Sequence, residues 1–415
     1  MSTVKLYQKD VYLKEAELKV LALTMENGRP VVVLEETIFA PDGGGQPCDL
    51  GSIGGIRLVD VREDKESGEI KHYLETSAEL SRVRAAANAA EPSERRLFCE
   101  LDWQRRFDHM QMHCAEHILS GAFHRMFKVE NRGFHMGADY FTIDMFVPEG
   151  VDAQAAAAKA ELESNRVIWA NVPVTTTFFS DPEEAARRPV RKPIKADEDV
   201  SVVSIGEGEA LADCCACCGT HPARTGEAGC VKIVKAENYK GLVRYTVKAG
   251  RFAYEDYKRK DELAGFFGRA LNTDLGRIEE KYKTQEAKNG TVRKELYDLK
   301  KALLAEELEK ILELLDTPCE ASIRVLRYDK YSMDDLQSLA KDLEGKLKKL
   351  LVLVSEREIS ALLLSDGKPD AGKLVKENAA IYKGKGGGNP KLARAIFDDP
   401  ENLELYLDLI EKHLR

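Results

Sequence analysis

Two histidines four residues apart, His113 and His117, and a cysteine–histidine pair with the same spacing, Cys217 and His221, lie in segments far apart in the chain. If both pairs hold one ion, the segment carrying the first must fold directly against the segment carrying the second. In a helix, residues i and i+4 sit one turn apart on the same face, so His113 and His117 can both reach a single ion. The turn Cys217-Cys-Gly-Thr-His221 repeats the spacing. Two histidines, a cysteine and a third histidine make a tetrahedral donor set typical of Zn2+. Each pair alone has a plainer reading. An isolated His-x-x-x-His is commonly a surface pair or a satisfied core pair, and thiolates between Cys214 and Cys230 could form a structural zinc site by themselves. The two pairs together favour one shared ion. Cys217 is preferred to Cys218 or Cys214 only through its spacing to His221.

Cysteine usage points the same way. Five of nine cysteines (Cys214, Cys215, Cys217, Cys218, Cys230) crowd into one stretch of a 415-residue chain, which in a reducing compartment implies a metal before a disulfide. No run reaches the ~20 apolar residues of a membrane helix, and the first residues lack the apolar core of a signal peptide. A cytoplasmic protein with no membrane association is expected. The net charge of −9 argues against wholesale nucleic-acid binding but leaves room for a local basic groove. Arg187, Arg188, Arg191, Lys192 and Lys195 form one basic, proline-punctuated segment, which reads either as a solvated loop or as a track for phosphates.

The length predicts roughly two to four domains, and the patterning predicts an α+β, multidomain chain. Residues 1–92 read as mostly β, with strands at Val31–Leu34, Ile53–Val61 and Ile70–Leu74, a Gly/Pro-rich loop over Thr37–Gly51, and a helical stretch ending near Pro92. Residues 93–252 mix a helix at Arg105–Phe127, striped by Met112, Ile118, Leu119, Ala122 and Met126, with a helix at 151–170 and strands at 172–179, 200–205 and 231–234. Over 253–316, Leu271, Leu275, Ile278, Tyr282, Gln285, Asn289, Val292, Leu296, Leu299 and Leu303 step by threes and fours, the seam of a coiled coil. The turn signal Asn289-Gly290 favours a helical hairpin there over one long helix. Residues 317–415 read as an α/β tail, with strands at 350–354 and 360–364 and helices at 333–346, 370–381 and 401–414.

His113-Cys-Ala-Glu-His117 also matches the H-x-x-E-H pattern of inverzincin peptidases, in which Glu116 would be the general base. Such enzymes take a carboxylate from a downstream helix as third ligand, and no carboxylate is marked out here for that role.

Three ordered pieces carry a resemblance: Phe39-Ala-Pro-Asp-Gly-Gly-Gly-Gln-Pro-Cys-Asp-Leu-Gly51, Arg106-Phe-Asp-His-Met-Gln-Met-His-Cys-Ala-Glu-His-Ile-Leu-Ser120 and Cys217-Cys-Gly-Thr-His-Pro-Ala-Arg-Thr-Gly-Glu227. Their order resembles the editing domain of alanyl-tRNA synthetase and the free-standing AlaX editing proteins. Lys240-Gly-Leu-Val-Arg-Tyr245 resembles the closing strand of that domain. Gly384-Lys-Gly-Gly-Gly-Asn-Pro-Lys-Leu-Ala393 resembles the DHHA1 domain that ends the long AlaX form. The resemblance implies an N-terminal β-barrel-like domain carrying the glycine motif, an α/β zinc-binding editing domain, a coiled-coil segment and a DHHA1-like domain for tRNA binding or dimerisation. With no aminoacylation module ahead of the β-domain, it implies a stand-alone hydrolase that removes serine or glycine from tRNA(Ala). It further implies zinc on His113, His117, Cys217 and His221, substrate contacts from Gly44, Gly45, Gln46, His135, Gly219 and Thr220, and tRNA contacts from Arg187, Arg188, Arg191, Lys192 and Lys385. A homodimer through the coiled coil and the C-terminal domain is expected. Cys218 and Glu116 depart from the family, which has Gly at the first position and often Thr or Gln at the second; Glu116 is expected to act as base or to alter specificity. A non-catalytic tRNA-binding protein with structural zinc is the remaining alternative.

Overall fold

In Ile70-Lys-His-Tyr-Leu74 every second side chain is buried, the period of a strand with one face on a core. The computed structural model describes residues 2–76, 80–91, 95–194, 200–318 and 321–414; the expected helix end near Pro92 and the basic residue Lys195 lie outside these. Six strands close an antiparallel barrel in the order Glu15–Glu26, Arg29–Leu34, Ile70–Leu74, Ile56–Glu63, Gly51–Ile53, Arg96–Leu101. Val20, Leu34, Ile53, Leu58, Val61, Ile70 and Leu74 fill it. The single strand expected over Ile53–Val61 is a hairpin. Ile53 pairs with Ile56 across Gly54 and Gly55, whose φ of +59 and +82 give the two-residue turn that matches strand twist.

One polar side chain inside this barrel makes its stability sensitive to pH. His72 is fully buried. Its Nδ1 lies 3.1 Å from the carbonyl oxygen of Val32, to which it must donate, so Nε2 accepts from the Thr37 hydroxyl at 2.8 Å. Burial, opposed only by the Val32 contact, lowers its pKa from 6.5 to about 4. Above pH 6.5 the ring is neutral in both folded and unfolded chains and favours neither. Between pH 6.5 and 4 only the unfolded chain binds the proton, so stability falls by ~1.4 kcal/mol per pH unit on acidification. Unfolding of His72→Gln across that window is expected to lack this part of the slope; an unchanged slope would place its source elsewhere.

The chain divides into two compact units, Met1–Phe266 and Phe267–Arg415. Beside the barrel, the first unit holds a second core around the helix Trp103–Phe127, whose first turn is capped by the Asp102 carboxylate accepting from the amide of Arg105. From Asp108 to Phe123 this helix is buried all round, as a helix enclosed within a core must be. The Ala153–Ala170 helix and the strands Glu130–Met136 and Asp213–Ala216 pack on it. Met126, expected on its apolar stripe, falls beyond the last buried turn and is exposed. An antiparallel sheet ordered Val231–Tyr239, Leu242–Ala249, Phe141–Phe146, Glu130–Met136 and a second ordered Val174–Phe179, Val200–Ile205, Asp213–Ala216 complete the unit.

In the second unit the helix Ile278–Asp316 runs unbroken through Asn289 and Gly290, which corrects the hairpin expected there. A helical glycine costs about 1 kcal/mol relative to alanine, too little to break a helix of 39 residues; the chain breaks instead over 271–277. The seam residues Val292, Leu296, Leu299 and Leu303 are more than half exposed. Strands Leu350–Ser355 and Ser360–Leu364 are buried on both faces. Val352, Val354 and Leu363 meet Val375, Tyr406 and Ile410 on one side, while Leu351, Leu353 and Leu362 meet Leu336, Leu339 and Ile311 on the other. Continuous apolar runs are what a strand covered by helices on both faces requires.

Candidate metal centre

His113 and His117 face one way from the enclosed helix Trp103–Phe127, and the loop leaving strand Asp213–Ala216 crosses that face with Cys217 and His221. The donor atoms of His113, His117, Cys217 and His221 lie within 4.8 Å of one another, the histidines buried. The Cys217 Sγ is 3.3 Å from Nε2 of His113 and 3.4 Å from Nε2 of His221. Zinc bonds of ~2.0 Å to nitrogen and ~2.3 Å to sulfur place tetrahedral donors roughly 3.3–3.6 Å apart; both Cys217 contacts fall in that range, and the donor set suits that ion. Burial by itself would raise the Cys217 thiol pKa, but His113, His221 and His117 outweigh it and hold the thiol well below its ordinary range, toward the thiolate that binds metals. Among the described residues the group contains no carboxylate, the ligand the peptidase pattern would need.

Two outer partners hold the imidazoles with Nε2 turned inward, the usual support of a metal histidine. Nδ1 of His113 donates to Oε1 of Gln46 at 2.8 Å, and that same oxygen accepts from the amide of Thr220 at 3.1 Å. The Gln46 amide donates to the Thr220 hydroxyl at 2.9 Å. Gln46, expected to touch substrate, is thus buried and bonded to His113 and Thr220. Nδ1 of His117 donates to Oδ2 of Asp213 at 3.0 Å, and Asp213 accepts from Arg191 at 2.8 Å. Burial would raise the Asp213 pKa, but Arg191 and His117 together lower it. Arg191, expected to track phosphates, has a side chain 7% exposed and paired with Asp213, the carboxylate behind His117. Neither Asp213 nor the role of Arg191 was visible in the sequence, because the contacts join residues 22 and 96 positions apart.

The glycines let backbone and ring meet. A Cβ on Gly219 would stand 2.2 Å from the His113 ring. Gly45, at φ +86, would strike Phe134, whose ring stacks on His113 with centroids 5.2 Å apart. Phe134 occupies the place expected of His135. Successive strand side chains point to opposite faces, and His135 is exposed on the far one. Thr220 is buried against Gln46. Cys218 turns its thiol toward Gly43 and Gly44 and is not part of the four-ligand group.

A cavity of about 500 Å³ opens on the centre, lined among others by Gly44, His113, Glu116, Asn131, Phe134, Lys192 and Cys217. Glu116 accepts from Ser120 Oγ at 2.6 Å and Asn131 Nδ2 at 2.7 Å, both at Oε1. Arg187 and Arg188 are exposed nearby in sequence, and Lys385 is exposed on strand Lys385–Gly388 of the second unit.

Residues 320–415 match the DHHA1 domain family, and residues 200–244 match the family described as the threonyl and alanyl tRNA synthetase second additional domain. The chain is 28% identical to the alanyl-tRNA editing protein AlaX-L of Pyrococcus horikoshii over 99% of both chains. It is also 28% identical to the alanine–tRNA ligase of Korarchaeum cryptofilum and 25% identical to that of Methanobrevibacter smithii, spanning 45% of each ligase. A likeness to the C-Ala domain of the alanyl-tRNA synthetase of Aquifex aeolicus covers 24% of this chain at 18% identity and a TM-score of 0.21, too small to inform the fold.

Proposed function

We infer that the chain is an AlaX-type alanyl-tRNA editing protein, a hydrolase that deacylates mischarged tRNA(Ala), and we propose that the amino acid removed is serine or glycine. The observation that carries the reading is the convergence of His113, His117, Cys217 and His221, the first three on the wall of a cavity, in a chain similar from end to end to an editing protein. Zn2+ on these four residues would supply a Lewis acid at the scissile carbonyl, or order the pocket around it if the ion stays closed to substrate. Water adds to the carbonyl carbon, the ester bond to the terminal ribose oxygen breaks, and that oxygen takes the proton. The chain's own contribution is placement. Asp213 and Gln46 hold the imidazoles, Gly219 and Thr220 hold Gln46 and His113 in register, and Gly44 admits close approach of the acceptor end.

Lys192 at the cavity rim, with Arg187, Arg188 and Lys385, would meet the phosphates of the tRNA. The four-part division at 1–92, 93–252, 253–316 and 317–415 is proposed to separate the glycine loop, the editing site, a coiled coil and a tail for tRNA binding or dimerisation. Among the described residues no helix is long and apolar enough to cross a membrane; the cytoplasm, where tRNA is charged, is the proposed location.

Wild-type protein is expected to deacylate seryl- or glycyl-tRNA(Ala) and to spare alanyl-tRNA(Ala), and His113→Ala is expected to remove the activity. A zinc-loaded protein that binds these tRNAs without turnover would sink the hydrolase reading and leave a binding module; peptide cleavage would favour the peptidase.

A further inference from the structure

An aminoacyl ester carries a positive α-ammonium one carbon away from its carbonyl. Any site that brings the carbonyl to His113, His117, Cys217 and His221 must also accommodate that charge within a few ångströms. The charged side chains lining the cavity are otherwise cationic: Arg132, Arg191 and Lys192. Asp213, the nearby buried carboxylate, is enclosed by His117 and Arg191 and does not line the cavity. Among the described lining residues the only carboxylate is Glu116.

Glu116 is built to accept. Its Oε1 takes two hydrogen bonds, from Ser120 and Asn131, and Asn131 also donates to Ser120 Oγ at 2.9 Å, closing a three-membered network that fixes the carboxylate plane. All of this network is buried. Its other oxygen, Oε2, lies 3.9 Å from Nε2 of His117, beyond hydrogen-bonding distance and on the side of the metal ligands. The carboxylate is therefore held by one oxygen and offers the second to whatever enters beside the centre.

We propose that Glu116 Oε2 binds the α-ammonium of the aminoacyl group, so that the site reads a free amino group as part of its substrate. This rests on the hydrolase reading above. It assigns Glu116 to substrate binding and not to proton abstraction from water. An amine blocked as an amide loses its charge and presents a bulkier group to Oε2, so the site discriminates against it.

The test compares seryl-tRNA(Ala) with N-acetyl-seryl-tRNA(Ala), using full-length zinc-loaded wild type and Glu116→Gln, with zinc content measured on both. A charge-assisted hydrogen bond predicts a wild-type preference of about 10- to 100-fold for the free amine. In Glu116→Gln that preference is expected to collapse, through slower cleavage of the free-amine ester alone, with zinc content unchanged. The same ratio is expected in binding of 3′-seryl-amido and 3′-(N-acetyl-seryl)-amido analogues of the terminal adenosine, which are not hydrolysed. Three results overturn the proposal: a preference intact in the variant, an equal loss on both esters (a role on water), or loss of zinc (a role as ligand). If the variant fails to fold, Glu116→Asp keeps the charge and withdraws it by one methylene, and an undiminished preference there also overturns it. Wild type inactive on both esters would defeat the hydrolase reading itself, whereas wild type active but indifferent to acetylation defeats only this inference.

Discussion

Replacing Asp213 with alanine is expected to lower zinc affinity about 10- to 100-fold, the usual cost of losing an outer partner of a metal histidine, and to destabilise the fold by roughly 3–5 kcal/mol, because the Arg191 guanidinium stays buried without its counter-charge. Both effects follow from one carboxylate, which accepts from Nδ1 of His117 and from Arg191 and is itself fully enclosed, its side chain 1% exposed. Without it, the His117 ring loses the bond that keeps Nε2 turned toward Cys217. Arg191→Ala separates this account from a role on phosphate. Loss of Arg191 is expected to weaken zinc binding while leaving the salt dependence of tRNA binding unchanged. The measurements are zinc competition against a chelator and denaturant unfolding. Undiminished zinc affinity in both variants would disconnect Asp213 from the centre.

Asp49→Ala is expected to destabilise the first unit by roughly 3–5 kcal/mol. Arg106 and Asp49 form an ion pair with both side chains fully buried. Nε of Arg106 donates to Asp49 at 2.9 Å, Nη1 donates to the Val11 carbonyl at 3.0 Å and Nη2 to the Ile38 carbonyl at 2.8 Å. One guanidinium thus ties the helix of His113 to both ends of the loop that carries Gly43–Gln46. Removing the carboxylate leaves a buried cation. Removing both charges, in Arg106→Met with Asp49→Leu, is expected to recover most of the stability, since buried pairs often replace well with apolar groups. The double variant would still lose the loop's anchor, and zinc affinity is expected to fall through the displaced Gln46. Stability recovered together with full zinc affinity would show that the loop holds its place without Arg106.

The strand runs Val200–Ile205, Ile70–Leu74 and Ser360–Leu364 fall where their apolar patterning put them, since burial of a strand face needs a period that can be read locally. Strands such as Glu15–Glu26 and Asp213–Ala216 did not announce themselves. The first is dense in charge and helix-forming residues, and its pairing with Arg29–Leu34 and Arg96–Leu101 overrides that propensity. At the site the two pairs that converge on one group, His113 with His117 and Cys217 with His221, were legible because each pair lies within one turn or loop, where i and i+4 fix the geometry. Gln46, expected against substrate, and Arg191, expected against phosphate, turned out to face the donors' outer shell. His135 gave way to Phe134, because a shift of one residue along a strand exchanges its faces.

By itself, then, the sequence brought out the two four-residue donor pairs, the glycine loop and several strand and helix runs, all properties of spacings short enough for the backbone to impose. Only the tertiary structure decided which carboxylate backs which histidine. It also decided that one oxygen of Glu116 is tied down while the other lies toward His117, and that the Arg191 side chain is buried against Asp213. These depend on contacts between residues distant in sequence, and local backbone geometry places no constraint on them.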